Sequence, residues 1–199
     1  MTPGPVDLLV ADILGRCGYR FTLAASDADR DRAYRLRAQA VIDQGWARAE
    51  DLPGGVERDE HDEHALHLLA WDGDAVVATG RLVLPPRPLP TEQVCGIAVE
   101  PRGRVVDVGR MAVARSHQSH RHGVFLALLA RLYVEARQRG YEAGCGLMAP
   151  RARSLMRLLG VPVEVIGDER AHWGEMRAPV RFAVTGQSTH PVVGPGEAR

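Results

Sequence analysis

The chain has 199 residues and a mass of 21.7 kDa, enough for one α/β domain with a proper core. Lysine plus arginine equals aspartate plus glutamate at 25 each, so no overall field favours nucleic acid or an anionic membrane. Cys17, Cys95 and Cys145 are odd in number and far apart, which argues against a disulfide framework or a paired-cysteine metal site, and no apolar run approaches the roughly 18 residues of a membrane span. The N-terminus lacks the basic and apolar regions of a secretory signal, so a cytoplasmic protein is expected.

Apolar residues at positions 6, 9, 10, 13 and 14 predict a helix over Val6–Cys17, and together with Met1–Pro5 this forms an N-terminal segment, 1–17. Tyr19–Ala24 alternates as a short strand. Asp27 or Asp29 then caps a helix that runs to about Gln44 and is ended by Gly45. Its apolar face carries Ala33, Leu36, Ala40 and Val41, and its other face carries Arg30, Arg32, Arg35 and Arg37. Asp51–Glu63 reads as an acidic loop. Ala65–Trp71 and Ala75–Leu84 predict two strands joined through Asp72-Gly73-Asp74, and a proline-rich loop follows. Val105–Ala114 is a strand, Gly123–Gln138 an apolar helix, Glu142–Met148 a strand and Arg151–Leu159 a helix. Strands near 161–166 and 178–184 complete the set, and 186–199 reads as a tail with nothing to pack. The strand–helix–strand order from 105 to 148 predicts a parallel pair with a crossover helix. The hairpin before it must be antiparallel. A mixed α/β sheet with helices on both faces is therefore expected in a domain over 18–185.

Four segments resemble one branch of the GNAT superfold, that of the acyl-homoserine-lactone synthases and related N-acyl amino acid synthases. Leu36-Arg37, Val41 and Gly45-Trp46 resemble the "LR-x-x-V/F…GW" helix and turn. The run from Glu57 through Asp59 to Asp62 matches E-x-D-x-x-D, and Gly80-Arg81-Leu82 resembles the end of a "G-x-x-R-L" strand. Asp107, Gly109, Arg110 and Val113 fall where the synthases read "E-x-S-R-F-A-V". The resemblance spans residues 19–183. It departs from the family at Asp107, where the synthases carry glutamate, and at Gly109, where they carry serine. The stretch His120-Arg121-His122-Gly123-Val124-Phe125 places a phenylalanine where the usual GNAT phosphate loop has a second small residue. Met156 stands where many GNAT enzymes have the tyrosine that protonates the departing thiolate.

The resemblance implies a GNAT-like N-acyltransferase that moves an acyl group from an acyl-CoA or acyl-carrier-protein phosphopantetheine thioester to an amine, with no metal. The acceptor is a small-molecule amine such as an amino acid, a carrier protein is a possible partner, and neither nucleic acid nor membrane is involved. Backbone N–H groups near Met111, Ala112 and Val113 would face the thioester carbonyl, where aimed donors stabilise a developing oxyanion. His120, Arg121, His122, Gly123 and Val124 would meet the donor's phosphates at a helix N-terminus. On a carrier protein, Arg115, Arg121 and Arg151 would instead meet acidic residues.

Glu57, Asp59 and Asp62 would bind a cationic amine, orient Arg37 and Arg81, or take the proton, one of them raised in pKa by its carboxylate neighbours. A solvated acidic loop is the plain alternative. Asp107 and Arg110 read as a catalytic pair or as a structural ion pair beneath the site. Arg81 and Arg110 point toward a substrate carboxylate or toward these acids. Val41 and Trp46, with Arg37, belong to the substrate side, although a tryptophan after a helix also serves simple packing. His61, His64 and His67 are too poorly placed to converge on a metal, and Cys145 reads as core. Alanine at Arg81 or Asp59 is expected to cut turnover about tenfold or more while leaving the melting temperature nearly unchanged. Two other readings stay open: an acetyl-CoA-dependent acetyltransferase, and a thioester-binding module without catalysis.

Overall fold

The computed structural model describes residues 3–118 and 123–184, so the expected donor residues His120, Arg121 and His122 and the tail 186–199 lie outside the described residues. The chain divides into two compact units, Met1–Leu82 with Gly109–Leu132 and Val83–Val108 with Tyr133–Arg199.

The first unit begins with α1 (Pro5–Arg16), β1 (Arg20–Leu23) and α2 (Asp27–Asp43). The cap of α2 is Ser26, whose hydroxyl accepts from the Asp29 amide at 3.1 Å, and neither Asp27 nor Asp29 takes that place. Serine is as good a cap as aspartate, and it precedes the helix while the two acids sit in the first turn, where they favour the dipole. The arginine-rich face is neutralised one turn back: Arg30 pairs with Asp27, Arg32 with Asp29 and Arg35 with Asp31. Exposed pairs of this kind contribute little to stability. Opposite them, Ala33, Ala38 and Val41 are buried, and Arg37, expected on the arginine-rich face, is buried with them because Glu57 and Asp62 take its charge.

Three single 3₁₀ turns (Ala49–Asp51, Pro53–Gly55 and Asp62–His64) order the segment expected as an acidic loop. Strands β2 (Leu66–Asp72) and β3 (Ala75–Val83) form the expected hairpin, antiparallel with His67 opposite Arg81 and Asp72 opposite Ala75. Strand β1 pairs antiparallel with β2 on its other side. Because β2 lies between two partners, its run Leu68-Leu69-Ala70 is fully buried. The second half of β4 (Val105–Val113) and the first half of α4 (Gly123–Gln138) belong to this unit. β4 is hydrogen-bonded beside β3, and the Ala114 amide extends the contact to the Val77 carbonyl at 2.8 Å.

Gly80 on β3 lets α4 approach. A Cβ there would stand 2.8 Å from Leu132 Cδ1 and 3.5 Å from Leu128 Cδ2, both side chains being fully buried. Gly80→Ala should therefore destabilise by about 1–3 kcal/mol through overpacking. A urea titration should show a lower midpoint with an unchanged slope.

The second unit holds α3 (Pro90–Cys95), the first half of β4, the end of α4, β5 (Ala143–Met148), α5 (Pro150–Leu158), β6 (Glu164–Val165), β7 (Arg170–His172) and β8 (Glu175–Ala183). The parallel pair expected on either side of α4 is present, with Val105 opposite Ala143 and Asp107 opposite Cys145. The pairings with β8 are antiparallel: β5, β6 and β7 each run against it. The core is built on Val105, Val106, Ala143, Cys145, Ala178 and Val180.

Three details depart from expectation. The proline-rich loop ends in a helix, α3, because Pro90 opens it and the Glu92 carboxylate accepts from the Leu89 amide. The strand near 161–166 shrinks to the two residues of β6. β7 is an additional strand, joined to β8 through Trp173 and Gly174, both at positive φ, a conformation that suits a tight hairpin. Among the described residues no helix is long and apolar enough to cross a membrane.

Candidate active site

Six charged side chains in the first unit form one network. Arg37 donates from Nε to Glu57 and from both terminal nitrogens to Asp62, at 2.7 and 2.9 Å. Arg81, across the hairpin, donates from Nη1 to Asp59 at 2.5 Å and to Asp62 at 2.7 Å. Arg110 on β4 donates from Nη2 to Asp59 at 2.6 Å, and its Nε lies 3.1 Å from Glu57. Three cations thus meet three anions. The turn that supplies the acids braces itself: the Asp59 amide donates to the Asp62 carboxylate at 2.7 Å, and the Asp62 amide to the Asp59 carbonyl at 3.1 Å.

Burial sorts the six. The side chains of Arg37, Glu57, Asp62 and Arg81 are 2–4% exposed, whereas Asp59 is 18% and Arg110 16% exposed. The four deep groups are closed to solvent and hold one another. The outer pair, an anion beside a cation, reaches solvent. Arg110 also has a positive φ of 50°, rare for a residue with a side chain. Such a conformation costs about 1–3 kcal/mol and persists where the surroundings fix it, here two carboxylates.

The electrostatics are those of tight pairing. Burial by itself would raise the Asp62 carboxyl, but hydrogen bonds and charge from Arg37 and Arg81 outweigh it and hold the group well below the usual carboxylate range. Asp59 is likewise lowered, burial being overcome by Arg81 and Arg110. Arg37 and Arg81 are raised, their burial overcome by these carboxylates. The expectation of a carboxylate raised by its neighbours is therefore reversed at Asp59 and Asp62: each acid touches guanidinium groups, so charge attraction exceeds acid–acid repulsion. The solvated-loop alternative falls with the same observation.

The remaining expected residues are distributed as follows. Val41 is buried in the α2 face, and Trp46 is half-buried after its end, with its amide bonded to the Val41 carbonyl at 2.9 Å. Met111, Ala112 and Val113 continue β4 directly after Arg110, and Gly123 and Val124 open α4. Asp107 belongs to the second unit. It is 3% exposed, accepts from the Thr91 amide of α3 at 2.8 Å and lies 3.7 Å from the Cys145 thiol. That contact with Thr91, not foreseen from the sequence, ties Asp107 to the start of α3. Cys145 is core, as expected, and burial pushes its thiol far up, which keeps it protonated and unreactive. His61 is largely covered, His64 exposed and His67 buried, and among the described residues no group of three His, Cys, Asp or Glu is arranged to hold a metal ion. The sequence reading also missed that His67 adjoins the network, its Nε2 lying 3.0 Å from the Asp62 carbonyl. The signal available was its place opposite Arg81 in a hairpin.

Residues 32–183 match the family described as N-acyl amino acid synthase FeeM, a span that includes all six charged residues. The chain belongs to this family. It is accordingly an N-acyltransferase, and the reading of a module without catalysis is set aside. No curated protein matches the sequence. Among solved structures, the AHL synthase LasI is similar at 14% identity with a TM-score of 0.71, over 85% of this chain and 92% of that one. MesI, a CoA-dependent acyl-homoserine lactone synthase, is 24% identical with a TM-score of 0.66, over 84% and 90%. FeeM itself, from uncultured soil microbes, is 16% identical with a TM-score of 0.60, over 83% and 89%. At these identities the likeness concerns the fold, which is that of the GNAT-like acyltransferases.

Proposed function

We propose that this FeeM-family protein acylates the α-amine of an amino acid, using an acyl-CoA or acyl-carrier-protein thioester, and that Asp59 and Arg110 receive the acceptor. One observation carries the reading: of six networked charges, only this anion–cation pair is open to solvent. A free amino acid bears the complementary charges on neighbouring groups, its ammonium suiting Asp59 and its carboxylate suiting Arg110. Guanidinium forks match carboxylates in geometry as well as charge. The four deeper residues fix that pair, so the binding geometry is prepared before the acceptor arrives.

In the reaction the amine nitrogen attacks the thioester carbonyl carbon, the carbon–sulfur bond breaks, and the sulfur leaves as a thiol. An ammonium acceptor must lose protons as the amide forms. One reaches the thiolate and the other goes to solvent. Asp59, held ionised below its usual range by Arg81 and Arg110, suits orienting the ammonium better than strong base catalysis. Peptide N–H groups of Met111–Val113 are the proposed donors to the carbonyl oxygen, and the start of α4 at Gly123 and Val124 the proposed place of the donor's phosphates. Solved structures point the same way for the donor, since MesI is a CoA-dependent synthase and BjaI has a structure with SAM and isopentyl-CoA.

Thiol release from a ladder of acyl-CoA and acyl-carrier thioesters tests this, with amino acids, their decarboxylated counterparts and S-adenosylmethionine as acceptors. Amine-dependent release should favour an amino acid over its decarboxylated amine by about tenfold or more in kcat/KM, because the latter brings no carboxylate to Arg110. The ladder also distinguishes longer acyl donors from acetyl-CoA. Equal use of the amino acid and the plain amine would overturn the acceptor assignment.

A further inference from the structure

His67 is a buried titratable group that the acceptor chemistry leaves unused. It stands on β2 opposite Arg81 and is 2% exposed. Its Nε2 lies 3.0 Å from the Asp62 carbonyl oxygen. A carbonyl only accepts, so Nε2 carries the hydrogen and Nδ1 is the bare nitrogen of a neutral ring. Nδ1 is buried with no hydrogen-bond partner. The ring packs edge-on against Tyr34, with centroids 5.3 Å apart. The groups acting on it are the Asp62 carboxylate, the Arg37 and Arg81 guanidiniums and the Tyr34 ring, and burial holds the imidazole below its usual range.

The bond matters because of where the Asp62 carbonyl sits. It ends the stretch Asp59–Asp62 and begins the 3₁₀ turn Asp62–His64, whose closing bond from the Ala65 amide is long at 3.4 Å. The imidazole is thus the shorter tie between that carbonyl and β2. A neutral donor also leaves the balance of three cations and three anions undisturbed.

We propose that His67 is a positioning residue for the acceptor pair: its Nε2–H anchors the Asp62 carbonyl, and through the Asp59–Asp62 turn it sets where the Asp59 carboxylate stands beside Arg110. The role rests on the acceptor reading above. His67→Gln places an amide nitrogen near the position of Nε2, His67→Asn reaches only to that of Nδ1, and His67→Leu fills the space without a donor. With an amino acid acceptor, the Gln variant should keep the acceptor KM within about threefold, while the Asn and Leu variants raise it about tenfold, the donor KM staying constant in all three. A general loss of structure would not raise one substrate's KM alone. Melting curves identify folded variants, and if His67→Leu does not fold the Gln and Asn pair decides. Nitrogen NMR of the folded wild type should show a proton on Nε2 and none on Nδ1 between about pH 6 and 8.

Equal acceptor KM values in the Gln and Asn variants, or a proton on Nδ1, would overturn the role of His67. The acceptor reading fails separately, when the wild type uses an amino acid and its decarboxylated amine equally well.

Discussion

Asp62→Asn should lower the melting temperature by roughly 6–20 °C, a loss of about 3–5 kcal/mol in a chain of this size. Asp62 is 2% exposed, and its two carboxylate oxygens accept from Arg37, from Arg81 and from the Asp59 amide. Asparagine removes one negative charge and turns an N–H₂ group toward guanidiniums that only donate. Three buried or half-buried cations would then face two anions, and removing one partner of a buried pair costs far more than the pair contributes as a whole. A shift below about 3 °C by calorimetry would show that water enters and screens the network. The same logic revises the expectation for Arg81→Ala. With Asp59 at 2.5 Å and Asp62 at 2.7 Å around a buried guanidinium, that variant loses stability as well as turnover, and activity loss there does not isolate a catalytic role.

The pH dependence follows with its sign. Asp59 and Asp62 are depressed in the folded protein, so the stability they contribute is present above the unfolded carboxyl pKa and is lost as pH falls toward the folded value. Wild-type stability should decline from about pH 5 downward, and Asp62→Asn should flatten that acid limb.

The parts of the fold that show in sequence are those where a local pattern coincides with a local cause. The Gly123–Gln138 helix is marked by an apolar run and a following glycine, and the Asp72-Gly73-Asp74 turn by its own chemistry. Local patterns say less about α3, where prolines suggest a loop although one of them opens a helix, and about β7, a three-residue strand with no apolar alternation. The charged network is of a different kind. Its arginine–carboxylate pairs join residues 19 to 53 positions apart, and no periodicity connects Arg37 to Asp62 or Arg110 to Asp59. Only the family pattern placed them together in the sequence. Sequence alone groups Arg37 with the exposed arginines of α2, and its i, i+4 spacing to Ala33 and Val41 is the trace that it lies on the buried face. The direction of the carboxyl shifts was out of reach, because it depends on whether acids lie closer to acids or to guanidiniums. Asp107 shows the same limit: nothing in the sequence points to the Thr91 amide that its carboxylate accepts from.

Arg110→Lys separates function from stability better than any change deeper in the network. The arginine spans two carboxylates, Nε toward Glu57 and Nη2 toward Asp59, from a backbone held at positive φ. Lysine keeps the charge but carries a single nitrogen, which can satisfy one of those acids and cannot present a planar fork to an acceptor carboxylate. Arg110 is 16% exposed, Asp59 reaches water and the deeper Glu57 keeps Arg37, so the stability cost should stay well below that of Asp62→Asn. On the proposed reading kcat/KM for an amino acid acceptor should fall about 100-fold, or about 2.7 kcal/mol of transition-state stabilisation. The decarboxylated amine offers Arg110 nothing to bind, so its already low kcat/KM should fall much less. The ratio of the two losses is therefore the informative quantity. Comparable losses with both acceptors would mean that Arg110 serves the network by holding Asp59 and Glu57, and that the acceptor carboxylate is met elsewhere.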